Sequence, residues 1–470
     1  MATEKYGVLD IADDVENVEQ YISGGLHPVH LGDKFDNDRY EVIHKLGRGG
    51  FSTVWLAQDL QDGHYVALKI VCSSWTESYG QLDGKIDKLL NPHPDSSHPS
   101  PARHFIVELR RFYVTSKNGI HLCQVLPVIG PSMHDLSQPP WRLRPAACRK
   151  LARDAAGLLA SMHRKNICHG DFTPSNIGLD ISPEFHKLSK HDFFKLVGPP
   201  EKEKVLPLSE KEKTGPGEHA PKYVVKSVEL ARLGDRYLSW NLRVMDFDQV
   251  FGAISPATPS SGIATPQQYV APEALIDRKP GPGSDVWALG CTLFRMRSAI
   301  SLFSDSERMQ SWENHLSDIF DFTIGNPPAA WNDVIFPDDE HPVHGKVQKY
   351  GCDPIDRNYD LRAKVFGIWD LTPSRASTPA PSRSNSSSLA GGATRPGTPS
   401  APLETPSNLI LKSPRSVKNW FNVTAEEGFP HISAQEAELF YDLLKKIFEY
   451  DTRKRITAEG ILAHPWLNMQ

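Results

Sequence analysis

The chain has 470 residues, a formal net charge of −5 and 39% hydrophobic residues. This length suits two or three average domains, or one large two-lobed unit that carries insertions. The acidic balance argues against a nucleic-acid binder that works by bulk positive charge, and no apolar run reaches the length of a membrane span.

The start of the chain and its cysteines indicate the cellular compartment. Residues 1–38 are acidic and turn-rich, without the apolar stretch of a secretory signal. The six cysteines form no Cys-x-x-Cys pair, so we expect reduced, mostly buried thiols rather than disulfides. We therefore expect a protein of the cytoplasm, the nucleus or both. We also expect a monomer, with no membrane partner and no direct nucleic-acid partner.

From Tyr40 the pattern becomes that of β-strands. The stretches YEVIHKLG, STVWLAQDL and YVALKIV alternate β-branched or aromatic residues with polar ones, and turn residues separate them. This alternation predicts antiparallel hairpins. A helix-compatible segment, QLDGKIDKLL (81–90), and a loop over 91–104 follow, and two further strands are predicted in FIVELRRFYV (105–114) and GIHLCQVLPV (119–128).

After residue 140 the period changes to that of helices. RPAACRKLARDAAGLLASMHRK (144–165) places one apolar stripe on a predicted helix, formed by Leu151, Ala155, Leu158, Leu159 and Met162. Helical patterns recur in SDVWALGCTLFRM (284–296) and AQEAELFYDLLKKIFEY (434–450). A strand-rich part followed by a helix-rich part predicts an α+β fold with two lobes, joined near residue 128, and a cleft between them.

The composition divides the chain into successive parts. We assign an acidic extension to 1–38, a small lobe to 39–128, a large lobe to 129–371 with an insertion at 180–222, a disordered Ser/Pro/Thr-rich insertion to 372–416, and the end of the large lobe to 417–470.

Two elements of the small lobe suit phosphate binding. LGRGGFSTVW (46–55) lies between two predicted strands, and Gly47 and Gly49 allow the backbone to approach phosphates closely. The third glycine usual in such loops is Ser52, and a tight turn is the alternative. VALK (66–69) on the next strand puts Lys69 opposite the loop, where an ammonium pairs with α- and β-phosphates. The alternative is a surface lysine.

Three polar residues of the large lobe suit phosphoryl transfer to a hydroxyl. In NICHGDFTPSNIGLD (166–180), Asp171 is placed to orient the hydroxyl and Asn176 to help hold Mg²⁺, although an Asx-rich connection is the alternative. Asp246 follows a short apolar strand in LRVMDFDQVF (242–251) and suits chelation of Mg²⁺. Further along, Glu273 and Arg455 are predicted to form a buried ion pair.

The order of these motifs, with YVAPEAL (269–275) and SDVWALG (284–290), resembles that of protein kinases. The resemblance implies the bilobal kinase fold, a small antiparallel lobe with one main helix beside a larger α-helical lobe, with ATP and Mg²⁺ in the cleft. Asp171 is then the catalytic residue, and Asn176 and Asp246 hold the metal. The nucleotide-contacting residues are expected to be Leu46, Gly47, Arg48, Gly49, Gly50, Phe51, Ser52, Thr53, Val54, Ala67 and Lys69.

A longer stretch is similar to one family of kinases. YISGGLHPVHLGDKFDNDRYEVIHKLGRGGFSTVWLAQD (21–59) resembles the serine/arginine-rich protein kinases, which phosphorylate splicing factors, in a divergent form like those of filamentous fungi. In that family Ser52 is usual, and an insertion lies where 180–222 lies here. The resemblance implies a serine/threonine kinase whose substrate is a Ser/Arg-rich protein.

The sequence departs from the kinase pattern at four places. Gly170 replaces the arginine before the catalytic aspartate, Thr173 replaces a lysine near the γ-phosphate, and Asp248 replaces a glycine of the metal loop. Lys85 stands at the position where kinases carry the glutamate that pairs with the lysine equivalent to Lys69. Asp83, Asp87 or Glu77 are candidate substitutes. Lys85, Thr173 and Asp248 favour a pseudokinase scaffold as the alternative. A small-molecule phosphotransferase, suggested by HGD alone, is opposed by the later motifs.

Two lesser features carry weaker expectations. By resemblance, Asp338, Asp339 and Glu340 lie where the family builds an acidic docking groove, although a solvated loop is the simpler interpretation. The histidines His93, His98 and His104 are expected to lie in a solvent loop rather than at a metal site.

Overall fold

A computed structural model describes a large part of the chain. The described residues are 6–7, 15–80, 104–138, 141–207, 218–252, 265–303, 312–322, 328, 331, 360–370, 410–412 and 431–469. The predictions for 81–103, including Asp83, Lys85, Asp87, His93 and His98, lie outside them, as do those for 338–340 and most of 372–416.

The small lobe is built on a six-stranded antiparallel sheet. Its strands are β2 (Lys34–Phe35), β3 (Tyr40–Arg48), β4 (Ser52–Asp59), β5 (Tyr65–Val71), β6 (Arg110–Ser116) and β7 (Gly119–Pro127), in the spatial order β2-β3-β4-β5-β7-β6. A short helix, α1 (Thr76–Gly80), follows β5. The predicted hairpins are confirmed, because each of these strands pairs antiparallel with its neighbours.

One predicted strand begins later than expected. The pattern in 105–114 predicted a strand from Phe105, whereas β6 starts at Arg110. Phe105 is buried and forms a bridge with Val244 of the large lobe, and the backbone nitrogen of Ile106 donates to the Val244 carbonyl oxygen at 2.9 Å. These apolar residues join the two lobes instead of extending the sheet.

The large lobe is mainly helical. Its helices are α2 (Pro145–Arg164), α4 (Pro272–Ile276), α5 (Pro282–Ser298), α6 (Trp312–Phe322), α7 (Leu361–Phe366), α8 (Ala434–Ile447) and α9 (Ala458–Leu462). The predicted apolar stripe of α2 is buried along its length, from Leu151 to Met162. Pro145 occupies the first turn of α2, where the missing backbone N–H leaves no hydrogen bond unmade.

Short strands position the loops at the cleft. β11 (Ile177–Ile181) pairs with β8 (Ile129–Ser132) on one side and with β15 (Leu238–Val244) on the other, and β10 (Ile167–Cys168) pairs with β16 (Phe251–Gly252). The 3₁₀ helices are Val18–Gln20, Ser73–Trp75, Asp135–Ser137, Pro174–Asn176, Phe185–Lys187, Leu230–Arg232, Phe247–Gln249, Gln267–Tyr269 and Pro465–Asn468.

The N-terminal extension packs against the insertion. β1 (Tyr6–Gly7) pairs with β13 (Leu206–Pro207), and β12 (Lys202–Lys204) pairs with β14 (Tyr223–Val225). The insertion also contains the helix α3 (Lys190–Val197). A buried apolar cluster joins these parts to the small lobe, formed by Val15, Val18, Tyr21, Leu26, Cys72, Val205, Ala220 and Val224.

One tail segment differs from its prediction. Residues 410–412 lie in the insertion predicted to be disordered, but they form β17 (Ile410–Lys412), which pairs with β9 (Trp141–Leu143). Residues 409–411, Leu-Ile-Leu, are apolar, unlike the Ser/Pro-rich residues before them, and therefore suit a partly buried strand.

The described cysteines agree with the expectation of reduced, buried thiols. Cys72, Cys123, Cys148, Cys168 and Cys291 are free and buried. Within the described ranges, no helix combines the length and the apolar character needed to cross a membrane.

Candidate active site

Strand pairing brings the two predicted metal-binding segments together. Ile177 of β11 pairs with Val244 of β15, and the backbone nitrogen of Met245 donates to the carbonyl oxygen of Asn176 at 3.0 Å. Asn176 precedes β11 and Asp246 follows β15. The antiparallel register therefore places these two residues side by side at the cleft.

Asp171 is held by Asn176. The amide nitrogen Nδ2 of Asn176 donates to the backbone carbonyl oxygen of Asp171 at 2.9 Å and to its carboxylate oxygen Oδ2 at 2.7 Å. The second carboxylate oxygen, Oδ1, is buried and has no hydrogen-bond partner within the described structure. Asp171 thus presents one unoccupied acceptor atom, which suits a group that receives a proton from a substrate hydroxyl.

His169 and Asp285 support the loop that carries Asp171. The ring nitrogen Nδ1 of His169 accepts from the backbone nitrogen of Asp171 at 3.2 Å, and Nε2 donates to the Met245 carbonyl oxygen at 3.1 Å, which is the neutral tautomer. Burial lowers the pKa of His169 accordingly. The Asp285 carboxylate accepts from the backbone nitrogens of His169 and Gly170, each at 2.9 Å.

Gly170 is required by the backbone. Its φ is +78°, and a Cβ atom added there would lie 2.5 Å from the carbonyl oxygen of Gln249. An arginine at this position, which the kinase pattern leads one to expect, would be strained and would collide with the loop after Asp246. The departure at Gly170 therefore reflects a close approach of two backbone segments.

Lys69 lies in a row with the glycine-rich loop. Gly47 on β3 pairs with Val54 on β4, and Val54 pairs with Lys69 on β5. Residues directly opposite each other in neighbouring strands face the same side of a sheet, so these three residues line the cleft together. Thr53 faces the other side, where it is fully buried and its Oγ1 accepts from the indole nitrogen of Trp55 at 2.9 Å. Its side chain is therefore turned away from the predicted nucleotide site.

The remaining predicted nucleotide contacts surround this row. Arg48, Gly49, Gly50 and Phe51 at the tip of the loop are exposed, and Ser52 is buried beside them. Of the other two predicted contacts, Leu46 is partly buried and Ala67 is buried.

The loop tip is also braced by neighbouring segments. Gln20 of the N-terminal extension donates to the Gly50 carbonyl oxygen at 3.2 Å, and the ring of Phe51 lies 4.3 Å from that of Trp75.

The Lys69 ammonium is bound by two carboxylates of the metal loop. Its Nζ atom lies 2.8 Å from Oδ1 of Asp246 and 2.5 Å from Oδ2 of Asp248. The Lys69 side chain is only 10% exposed and that of Asp248 13%, whereas Asp246 is 41% exposed. The ring of Tyr79 lies 5.1 Å from the ammonium. Glu77, one of the acids considered as a partner of Lys69, is exposed.

The crowding of charge shifts the pKa of each carboxyl group. Burial and the Asp246 charge raise the pKa of Asp171 to about 7. Burial and Asp246 also raise the pKa of Asp248 to about 7, against the opposing effect of Lys69. Burial acts to raise the pKa of Asp246. The Lys69 charge and the hydrogen bond from Asp248 outweigh this effect and hold that pKa below its usual range. Asp171 and Asp248 are therefore easier to protonate than ordinary aspartates, whereas Asp246 stays ionised beside Lys69.

The donor atoms fit a magnesium ion. Nδ2 of Asn176 is committed to Asp171, which leaves its amide oxygen as the free ligand atom, and the Asp246 carboxylate is partly exposed. Carboxylate and amide oxygens are the ligands that Mg²⁺ prefers. Among the described residues, the acids Asp171, Asp246 and Asp248 also outnumber the one ammonium beside them, so the site favours a cation.

The predicted ion pair of the large lobe is confirmed. Nη1 of Arg455 lies 2.7 Å from Oε1 of Glu273, and Nη2 lies 3.0 Å from Oε2. Ser284 donates to the same carboxylate at 2.8 Å, and Arg455 also donates to the Gly283 carbonyl oxygen at 2.8 Å. The pair connects α4, which follows the metal loop and carries Glu273, to Arg455 just before α9.

Sequence reasoning did not find several contacts of the site. The bond between Lys69 and Asp248 was missed because the spacing of the motifs does not give the direction of a side chain. No motif of the sequence indicated that the ring of Tyr79 lies beside Lys69. His104, expected in a solvent loop, is partly buried and hydrogen-bonded to the Leu242 carbonyl oxygen at 3.0 Å.

The fold and the site together define a protein kinase domain. The family model for the protein kinase domain matches residues 40–211 and 235–467, so the chain belongs to that family. A crystal structure described as a kinase domain covers 94% of this chain and 98% of its own, with a TM-score of 0.51 and 16% identity, which supports the fold alone. The predicted bilobal α+β kinase fold is thereby confirmed.

The resemblance to serine/arginine-rich protein kinases is also confirmed. SRSF protein kinase 3 of Homo sapiens is 38% identical over 182 residues, which are 37% of this chain and 31% of that protein. Protein kinase dsk1 of Schizosaccharomyces pombe is 34% identical over 36% of this chain and 31% of its own. Serine/threonine-protein kinase SKY1 of Saccharomyces cerevisiae is 31% identical over 35% of this chain and 23% of its own. The matched region is less than a third of each relative.

Proposed function

We propose that this chain transfers the γ-phosphoryl group of ATP to a serine or threonine hydroxyl of a protein. The observation that carries the proposal is the convergence of Lys69, Asp171, Asn176 and Asp246 at one cleft, with Asn176 on Asp171 at 2.7 Å and Lys69 on Asp246 at 2.8 Å. Phosphoryl transfer depends on positioning and charge stabilisation, and these residues supply both.

Each residue has one role in the reaction. Lys69 binds the α- and β-phosphates, and Asn176 and Asp246 would hold the metal. Asp171 orients the substrate hydroxyl and accepts its proton through Oδ1, which has no hydrogen-bond partner among the described residues. The hydroxyl oxygen forms the new bond to phosphorus as the bond to the ADP oxygen breaks. Mg²⁺, when bound, neutralises phosphate charge during the transfer.

The resemblance supports one class of substrate. The relatives are named for protein and serine/threonine kinase activity, one of them for SRSF proteins, and this supports a Ser/Arg-rich protein as the substrate. Phosphorylation of an Arg-Ser repeat peptide and of a Lys-Ser peptide of equal length tests the choice. We expect the Arg-Ser peptide to react faster, because a guanidinium binds carboxylates with two parallel hydrogen bonds and an ammonium does not.

The same assay separates the kinase from a scaffold. We expect transfer from radiolabelled ATP with Mg²⁺ present, together with a rise in melting temperature on adding Mg-ATP. A rise in melting temperature without transfer to either peptide, or to a mixture of nuclear proteins, would instead support the pseudokinase alternative.

A further inference from the structure

Asp248 occupies a position where an acidic side chain costs no backbone strain. It lies within the 3₁₀ turn Phe247–Gln249, and its φ is not among the positive values of the chain. The left-handed residue of this loop is Asp246, with φ of +62°. The freedom of a glycine is therefore not needed at Asp248, and the side chain there is available for another purpose.

The turn directs both acids at one ammonium. Phe247 is buried, and its ring lies 5.2 Å from that of His169 and 5.9 Å from that of Phe105. With this ring anchored in the core, the acids on either side of it reach Nζ of Lys69, at 2.8 Å for Asp246 and 2.5 Å for Asp248.

The two acids differ in exposure and therefore in what else they can bind. Asp246, 41% exposed, is the acid proposed to hold the metal. Asp248 is 13% exposed and binds the Lys69 ammonium, which also lies 5.1 Å from the ring of Tyr79. Of the described acids in contact with Lys69, Asp248 is the one left to hold it when Asp246 binds a cation.

We propose that Asp248 is the positioning residue of Lys69, in place of the glutamate that a kinase small lobe is expected to provide. Asp248 holds the ammonium in the cleft while Asp246 engages the metal. This inference rests on the proposed function for its kinetic consequence, but the pairing itself does not require turnover.

The first test measures the reactivity of the Lys69 amine. The full chain is treated with acetic anhydride without nucleotide or metal, and acetylation at Lys69 is followed by peptide mass spectrometry, with the exposed Lys187 as the internal reference. We expect Asp248→Asn to speed acetylation of Lys69 about tenfold, the factor that loss of one charge-assisted hydrogen bond represents. Asp180→Asn, which removes an acid paired with Arg243 at 2.9 Å elsewhere, is expected to leave the rate unchanged.

The second test measures turnover. We expect kcat of Asp248→Asn to fall about tenfold, and the same substitution to cause no further fall in a Lys69→Met background, because the two residues act as one unit. Unchanged acetylation of Lys69 in Asp248→Asn, or faster acetylation in Asp83→Asn or Asp87→Asn instead, would overturn the proposal. If the wild type transfers no phosphate, the proposed function fails, and the acetylation result still decides the pairing.

Discussion

Glu273 and Arg455 form a two-pronged ion pair across 182 residues of sequence, with both side chains at most 5% exposed. The guanidinium also stacks 5.1 Å from the ring of Trp287 and donates to the Glu449 carbonyl oxygen at 2.8 Å. The pair therefore connects the segment after the metal loop to the end of the chain through a fully desolvated contact.

Removing one partner of this pair should destabilise the protein strongly. We expect Glu273→Ala to lower the free energy of unfolding by about 3–5 kcal/mol, because Arg455 is left as a buried charge without its counter-ion. Urea unfolding measures this. The control is Glu438→Ala, which breaks an exposed pair with Arg362 and should cost less than about 1 kcal/mol. Equal losses in the two variants would contradict the assignment.

Gly170 should not tolerate a side chain. We expect Gly170→Ala to lower the free energy of unfolding by roughly 2–4 kcal/mol, from the positive φ and from the contact of the new Cβ with the Gln249 carbonyl oxygen. Gly234→Ala is the matched control, because no atom of the described residues lies within 4 Å of a Cβ there, and it should change stability by no more than about 1 kcal/mol. A Gly170 variant as stable as the control would show that the loop adjusts freely.

The N-terminal extension should be required for stability of the small lobe. Glu16 and Lys45 form an ion pair with side chains 2% and 0% exposed, and the Tyr21 hydroxyl donates to Glu16 at 2.5 Å. We expect Glu16→Gln to lower the free energy of unfolding by about 3 kcal/mol, since a buried ammonium loses its partner. The double variant with Lys45→Met should recover most of this loss in the same urea assay. No recovery would mean that Glu16 acts through another contact.

Much of the site was predictable from the sequence, because its residues belong to segments of fixed local structure. Lys69 was predicted from its strand position after the glycine-rich loop, and Asn176 and Asp246 from their positions beside short apolar strands. Each depends on a local pattern that the structure reproduces.

The parts that were missed depend on contacts between distant segments. Gly170 was identified as a departure, but the nearby Gln249 carbonyl oxygen that explains it is visible only in three dimensions. The burial of Glu16 against Lys45 was missed because an acidic extension predicts a solvated segment. Asp248 was interpreted as a restriction on the loop, whereas it binds Lys69.

Acid should destabilise the protein partly through His27. Burial and the neighbouring His121 lower the pKa of His27 to about 4, so the folded state binds its proton less readily than the unfolded state does. Stability from this group is complete above pH 6.5 and is lost as the pH falls toward 4. Between pH 7.5 and 5 the loss should be about 2 kcal/mol.

Urea unfolding of His27→Phe at these two pH values measures the contribution of that side chain. We expect the variant to lose less stability than the wild type on acidification, by about the amount just given. His191→Gln, at an exposed position, should match the wild type. If the His27 variant lost as much stability as the wild type, the acid sensitivity would come from protonation of another group.

The central claim is that the carboxylate of Asp171 receives the proton of a protein hydroxyl as phosphate is transferred. The most direct measurement compares wild type and Asp171→Asn for the rate of radiolabelled phosphate transfer from Mg-ATP to an Arg-Ser repeat peptide. We expect the variant to be slower by at least about a hundredfold, while Mg-ATP raises the melting temperature of both proteins equally. Equal rates in the two proteins would contradict the claim.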